Sequence, residues 1–283
     1  MERVRERGAP MTQDLSACGN GGRSWWTIPI IRVSILVHAA ALIVFAVQPV
    51  LWLWALGVLV GNHLVVTAAV LWPRGSLLGP NLVRLPQTAA SRGEVCLTFD
   101  DGPDPEITPR VLDLLDRYRA KASFFCISRK AEAHPEIVKE IARRGHSVES
   151  HSYSHPHAFS LYPTTRLARE VDAAQRVIAG LTGQAPKFFR APVGFRGPML
   201  APVLASRGLR YVSWTRRGFD AVDDNPERVL RRLTRGLAAG DVLLMHDTKP
   251  LVLAVLPQLL DQLAMRGLKP VSLPVACGNG SAA

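Results

Sequence analysis

The chain is poor in cysteine, and none of it stands in a metal-binding pattern. The four thiols are Cys18, Cys96, Cys126 and Cys277, with no C-x-x-C pair among them, which excludes cysteine-built zinc sites. Cys96 and Cys126 lie inside apolar strand-like runs, as small core residues do. Acid is scarce too: 23 Asp and Glu stand against 34 Lys and Arg, a net charge of +11. That excess suits anionic lipid head groups, phosphate-bearing substrates or nucleic acid. The basic residues are scattered as pairs, such as Arg143-Arg144, Arg216-Arg217 and Arg231-Arg232. They form no stripe interleaved with aromatics, which argues against a nucleic-acid partner. A third lack is local. Residues 33–73 contain no Asp, Glu, Lys or Arg.

That uncharged stretch is broken once, at Gln48-Pro49, into runs 33–47 and 50–72. A membrane-spanning helix needs about 20 apolar residues. The second run is long enough. The first reaches that length by including Ile28–Ile31, with Arg32 snorkelling to the interface. A soluble helical hairpin would carry a polar face, and neither run has one. Trp25, Trp26, Trp52, Trp54 and Trp72 stand where interfacial anchors belong. The expectation is a two-helix membrane hairpin at 29–73, after a disordered tail at 1–28. A cleaved signal peptide would explain only the first run. Arg3, Arg5, Arg7, Arg23 and Arg32 precede the hairpin, Arg74, Arg84 and Arg92 follow it, and the loop between is uncharged. The positive-inside rule then puts the rest of the chain on the cytoplasmic face of the cell membrane. If only one run spans, it lies on the outer, periplasmic face.

Pro80 and Pro86 mark a linker at 74–93, followed by a domain at 94–275 and a short tail at 276–283. Within that domain, strand-like runs at 95–99, 122–127, 147–150, 187–190, 209–214, 242–245 and 270–273 alternate with helix-like runs at 108–119, 134–144, 164–181, 198–207, 226–237 and 253–266. Gly145, Gly208 and Gly267 fall where helix C-caps belong. Such alternation predicts an α/β fold with a mainly parallel sheet. Seven strands suit a distorted (β/α)7-type barrel, with an open doubly wound sheet as the alternative. In barrels of this kind the chemistry sits at the C-terminal ends of the strands.

The strand ends are where the polar residues are. Val95-Cys96-Leu97-Thr98-Phe99 is a buried-strand composition that stops at Asp100-Asp101-Gly102-Pro103. Two adjacent carboxylates there call for a cation or a perturbed pKa. The third strand is followed by H-S-Y-S-H, giving His151 and His155, a pair that one helical turn would aim at one point. Two imidazoles and a carboxylate leave an open position, the arrangement of a catalytic divalent metal, Zn²⁺ first and Co²⁺ or a similar ion second. Later strand ends carry R-A-P-V-G with Arg190, W-T-R-R-G-F-D with Trp214 and Asp220, and L-M-H-D with His246.

T-F-D-D-G-P, H-S-Y-S-H, R-A-P-V-G and L-M-H, in this order, resemble the polysaccharide deacetylase family with its NodB-homology domain, carbohydrate esterase family 4. The likeness covers about 94–274. It implies a distorted barrel and a metal-dependent hydrolase that removes an N-acyl group from an amino sugar. It implies Asp100 as catalytic base, Asp101, His151 and His155 as metal ligands, Arg190 as the residue orienting the base, and His246 as general acid tuned by Asp220. The Val193 backbone N–H would donate to an oxyanion, and Arg196 and Trp214 would line the substrate site. The chain departs from the family pattern in having Arg217 in place of an Asp, Ala221 in place of a Trp, and Val193 where a Tyr is common. Those changes alter the pocket walls. With Arg196, Arg216 and Arg217 beside the motifs and a hairpin in front, the expected substrate is an N-acylated amino sugar in a membrane-associated or lipid-linked glycan. The partners are then that glycan and membrane lipid, with no nucleic acid and the oligomeric state left open. Two rivals remain: an outward-facing cell-wall or exopolysaccharide deacetylase, and a non-catalytic membrane-anchored sugar-binding protein.

Overall fold

A computed structural model describes residues 28–278. The tail expected at 1–28 and the C-terminal residues beyond 278 lie almost wholly outside the described residues, as do Trp25, Trp26 and Cys18. Two helices come first, α1 (Pro29–Val47) and α2 (Trp52–Val70), joined by a 3-10 turn at Pro49–Leu51. Pro29 starts α1 at a position where its missing N–H costs nothing. Both helices are long and apolar enough to cross a membrane. Their large side chains face outward on every side, Leu36, Leu42 and Trp54 among them. The few polar groups pair within the hairpin: Asn62 Nδ2 donates to Ser34 Oγ at 2.9 Å, and the His38 and His63 rings meet edge to face.

The rest is a curled parallel sheet covered by helices. Its strands are β1 (Glu94–Asp100), β2 (Ala122–Cys126), β3 (Ser147–Ser150), β4 (Phe188–Phe189), β5 (Arg210–Tyr211), β6 (Arg216–Arg217), β7 (Val242–His246) and β8 (Lys269–Pro270). The order is β5-β4-β3-β2-β1-β7-β6, with β8 beside the start of β1, and every pairing is parallel. β5 and β6 end the path, so the sheet curls into a half-barrel without closing. The helices are α3 (Gln87–Ser91), α4 (Ile107–Arg117), α5 (Ser128–Ala133), α6 (Pro135–Arg143), α7 (Thr164–Thr182), α8 (Leu200–Ala205), α9 (Pro226–Thr234), α10 (Leu251–Met265) and α11 (Leu273–Ala276).

Alternation along β1 explains how this fold aims its chemistry. All seven β1 residues are buried. Val95, Leu97 and Phe99 pack outward with Val111 and Leu115 of α4 and Leu256 of α10. Cys96, Thr98 and Asp100 therefore face the barrel interior. Cys96 joins a second cluster there with Phe125, Phe188 and Val242. Cys96 and Cys126 are buried thiols. The register sets Asp100 beside Phe125 of β2 and His246 of β7, at the C-terminal rim.

Two expectations change. The run at 209–214 gives only the two-residue β5, and a separate strand, β6, forms at Arg216–Arg217, where no apolar pattern announces it. The segment expected to be a linker is built into the sheet. Leu82 bridges Val212, Arg84 bridges Asp241, and Leu85 and Ala89 are buried. Backbone bonds from Leu82 to Tyr211 and from Leu85 to Gly240 fix it there. The physical reason is the open seam between β5 and β6, whose unpaired edge groups need partners.

Candidate active site

Nine of the ten residues singled out in the sequence gather at the strand ends. Asp100 is buried, and its Oδ1 accepts from Arg190 Nη1 at 2.6 Å. Arg190 is wholly buried, an arrangement that costs free energy unless the guanidinium is fully paired. It is well paired: Nη1 also donates to Thr98 Oγ1 at 2.9 Å, Nη2 to the Ser213 carbonyl at 2.9 Å, and Nε to the Val212 carbonyl at 3.3 Å. Its plane lies 4.1 Å from the Phe125 ring centre. Asp100 is thus held by a group that cannot itself move.

Asp101 points elsewhere because its backbone is left-handed, at φ 71°. Lys130 Nζ donates to its carbonyl at 2.8 Å, and Ile127 N–H to the next carbonyl, of Gly102, at 2.9 Å. Five of the six non-glycine residues with positive φ are Asp101, Ser152, His155, Val193 and Phe219, all in loops around this rim. Non-glycine residues rarely take that conformation, and such strain collects at functional sites.

H-S-Y-S-H is not a helical turn, contrary to the spacing argument. It is a bent loop with positive φ at Ser152 and His155. Glu170 on α7 captures it, accepting from the N–H groups of Tyr153 and Ser154 at 3.1 and 3.0 Å and from Ser154 Oγ at 2.7 Å. Left-handed backbone at Ser152 and His155 is incompatible with a right-handed helix, and Glu170 holds the loop in that bend. The loop still aims both rings at Asp101: its Oδ1 lies 3.3 Å from His151 Nε2 and 3.2 Å from His155 Nε2.

These three side chains fit a metal ion. His151 Nδ1 lies 2.9 Å from the Arg190 carbonyl, which only accepts, so Nδ1 carries the proton. Nε2 is then the nitrogen left to ligate a metal beside Asp101 Oδ1, while burial opposes charge on the ring and Asp100 and Asp101 raise its pKa. Asp101 Oδ1 is buried and has no aligned hydrogen-bond donor among the described residues. The ligand atoms of Asp101, His151 and His155 all lie within 4.8 Å of one another. Acceptors facing one another call for a cation between them, and two nitrogens with one oxygen is a donor set that divalent ions such as Zn²⁺ accept. Burial opposes charge on Asp101, but the facing imidazoles, His151 first, outweigh it and lower its pKa. Burial, then the neighbouring His151, pushes the His155 imidazole down to about 4, so it stays neutral and able to ligate.

Across the site, Asp220 grips His246 twice. Its Oδ1 lies 3.0 Å from His246 Nδ1, and its Oδ2 accepts the His246 backbone N–H at 2.7 Å. Burial opposes charge on His246, yet Asp220, with Asp100 and Asp101 behind it, raises its pKa. The His246 Nε2 is left facing Asp101 Oδ2 at 3.9 Å. Val193 sits at φ 59° in the loop after β4, and its N–H has no bond to another described residue. Trp214 is buried beside it. A Cβ on Gly194 would lie 2.6 Å from the Trp214 ring, so this close approach needs glycine.

The expectation for Arg196 is overturned. It is buried and donates to the carbonyls of Gly75, Gly79 and Pro80 at 2.6, 3.0 and 2.9 Å, so its guanidinium is not free for a sugar. Arg216 also points away: Nε pairs with Asp241 at 3.0 Å, and its terminal nitrogens bond the Arg235 and Gly236 carbonyls. Only Arg217 of the three stays near the centre. Sequence reasoning passed over four supports, Thr98, Lys130, Glu170 and Asp247. Asp247, next to His246, is buried and takes the Thr108 hydroxyl at 2.6 Å. A Cβ on Gly102 would lie 2.5 Å from its carboxylate. Its place in L-M-H-D was the one visible signal.

A family model described as polysaccharide deacetylase matches residues 87–212. A peptidoglycan-N-acetylglucosamine deacetylase of Bacillus cereus is 32% identical over 188 residues, covering 65% of this chain and 68% of the relative. The chain belongs to the polysaccharide deacetylase family. A chitooligosaccharide deacetylase of a Bradyrhizobium strain is 34% identical over 157 residues, 55% of this chain and 71% of the relative. The Listeria monocytogenes peptidoglycan deacetylase PgdA is matched over 42% of its own length. Among solved structures, a peptidoglycan N-acetylglucosamine deacetylase superposes with a TM-score of 0.67 at 29% identity, covering 71% of this chain and 94% of that one. The family 4 carbohydrate esterase of Streptomyces lividans gives 0.60 at 34%, covering 63% and 91%. As a polysaccharide deacetylase, the chain is a hydrolase of non-peptide carbon–nitrogen bonds in amino-sugar glycans. Enzymes of this family use a metal, and the Asp101, His151 and His155 cluster is the candidate place for it.

Proposed function

We propose that this polysaccharide deacetylase removes the N-acyl group from an amino sugar in a membrane-associated or lipid-linked glycan, at the membrane surface where its hairpin anchors it. The observation that carries the chemistry is the convergence of a metal-fitting triad with two separately held proton carriers. Asp100 is fixed by Arg190 at 2.6 Å, and His246 by Asp220 at 3.0 Å.

A divalent ion held by Asp101, His151 and His155, Zn²⁺ or else Co²⁺, supplies Lewis acidity that makes water a stronger acid and an acyl carbonyl a better electrophile. Asp100 accepts the proton of the attacking water, and Arg190 keeps its oxygen aimed. As the carbonyl becomes tetrahedral, the Val193 N–H donates to the developing oxyanion. His246 gives its proton to the departing nitrogen, since an amine leaves only once protonated. Asp220 holds the Nδ1 side of that ring, so the transferable proton is at Nε2. Trp214 lines the sugar side. Acylate and free amine are the products.

Acetyl transfer to water is supported by relatives that act on N-acetylglucosamine glycans and chitooligosaccharides. The hairpin supports a substrate near the bilayer, and the charge rule favours the cytoplasmic face. A second reading, an outward-facing cell-wall enzyme, is favoured by the relatives named for peptidoglycan. A reporter fused after Ala283 separates the two by being active on one side only. The test of the chemistry is acetate release from chitooligosaccharide by the Zn²⁺-loaded full chain. Asp100→Asn should lower kcat about 10³-fold with bound metal unchanged. Wild-type protein that releases no acylate from any N-acyl sugar would point to a sugar-binding protein instead.

A further inference from the structure

The arginines that flank the motifs have different fates, and the one left over marks a second site. β6 alternates its side chains. Arg216 goes to Asp241 and two carbonyls, and Arg217 goes the other way, toward the rim. There Arg217 stands 5.1 Å from the Trp214 ring centre and 4.8 Å from that of Phe219. Its Nε is buried without a hydrogen-bond partner. No hydrogen bond from its terminal nitrogens, and no carboxylate within ion-pair reach, exists among the described residues. Burial lowers its pKa, while the more distant Asp100 and Asp220 act the other way without pairing with it. The aromatic rings offset part of that cost, but they offer no acceptor to the N–H edge.

A cavity of about 270 Å³ opens at this edge, lined by Pro73, Arg74, Trp214, Thr215, Arg217 and Phe219. Its other cation, Arg74, comes from the chain just past the hairpin, four residues after Val70, the last residue of α2. Arg74 has no carboxylate partner either and makes only a long contact, 3.4 Å, with the Thr215 carbonyl. One wall of the cavity is thus the membrane-proximal segment. The opposite wall is Trp214, whose ring also lies 6.0 Å from the Arg190 guanidinium that holds Asp100. Two guanidiniums with open donor edges, in a cavity whose lining includes no acid, are a match for the oxygens of a phosphate, which accept such forks in pairs.

We propose that this cavity is a subsite for the phosphate of a lipid head group, gripped by Arg217 and Arg74 while the sugar lies at Asp100 and the metal triad. The inference rests on the deacetylase reading and adds to it the part of the substrate that anchors in the bilayer. Full-length protein in phosphate-free dodecyl maltoside micelles is titrated with radiolabelled dodecyl phosphate, with inorganic phosphate and with dodecanol. Dodecyl phosphate should bind more tightly than either of the others. Arg217→Gln should weaken it about tenfold and Arg74→Gln about threefold, with Arg217→Lys recovering part of the loss. A thermal melt of each variant checks folding, and the Lys variant carries the test if the Gln variant fails to fold. Dodecyl phosphate affinity unchanged in the folded arginine variants would overturn the subsite. Inorganic phosphate binding as tightly as dodecyl phosphate would overturn the lipid source. Acetate release from neutral chitooligosaccharide is measured alongside. Wild-type protein that releases acetate but binds dodecyl phosphate no better than dodecanol fails this inference alone, and absent release with arginine-dependent binding intact fails the deacetylase reading alone.

Discussion

The hairpin and the half-barrel treat polar groups in opposite ways. In α1 and α2 the polar side chains are few, and they answer one another across the pair, as Asn62 answers Ser34. In the half-barrel, Arg190 is a wholly buried cation that meets acceptors from distant parts of the chain, while burial pushes the Glu149 and Asp247 carboxyls up to about 7. An apolar solvent outside asks only that a helix satisfy its own backbone. A packed interior can hold charge, but only with complete partners. The same chain therefore puts its two apolar helices where geometry matters little and its site where geometry is over-determined. Arg196 is the hinge of the comparison, since it ties the segment leaving the hairpin to the loop that carries Val193.

The largest expected effect that sharpens this contrast falls on the metal triad. His155→Ala removes one of two imidazoles, and bound Zn²⁺ should fall from about one ion per chain to a small fraction, read by elemental analysis after dialysis. Next comes the joint. Arg196→Gln leaves three carbonyls facing a neutral, shorter side chain, and should lower stability by about 2 kcal/mol or more in a denaturant titration. A change that spares stability would mean the hairpin is only loosely joined. Third is pH. Burial holds the His146 imidazole down at about 4, against an unfolded value of about 6.5. The unfolded chain therefore takes up a proton that the folded one refuses, and stability falls as pH drops from about 6.5 toward 4. The difference between wild type and His146→Gln over that window should be on the order of 2–3 kcal/mol. The smallest effect belongs to the hairpin. Asn62→Leu removes its interhelical bond and should change stability by about 0.6 kcal/mol, with acetate release unaltered.

Much of the site was legible because it sits on strand ends. An apolar run that stops at Asp100-Asp101 shows a buried strand with two carboxylates at its C-terminal end without any structure. His151, His155, Arg190, Asp220 and His246 follow at later strand ends in the same way. What misled was local reasoning about residues with distant partners. The spacing of His151 and His155 suggested a helical turn, but Ser152 and His155 take left-handed backbone in a loop that Glu170, far along α7, holds. Pro80 and Pro86 suggested a linker, yet Leu82 and Arg84 complete a seam between strands more than a hundred residues onward. The basic stretch at Arg216–Arg217 carries no strand pattern, and it becomes β6 only because β7 offers an edge.

From the sequence alone came the family, the alternation of strands and helices, the two apolar helices and the residues at each strand end. The alternation and the apolar helices follow from composition and period, which are local, and the family from the resemblance of four short motifs in their order. Only the tertiary structure decided which arginine is free. Arg190, Arg196, Arg216 and Arg217 look alike in a string of letters. Their fates differ because each guanidinium meets whatever the fold brings to it: the Asp100 carboxylate, the carbonyls behind the hairpin, a strand-end acid, or an open cavity.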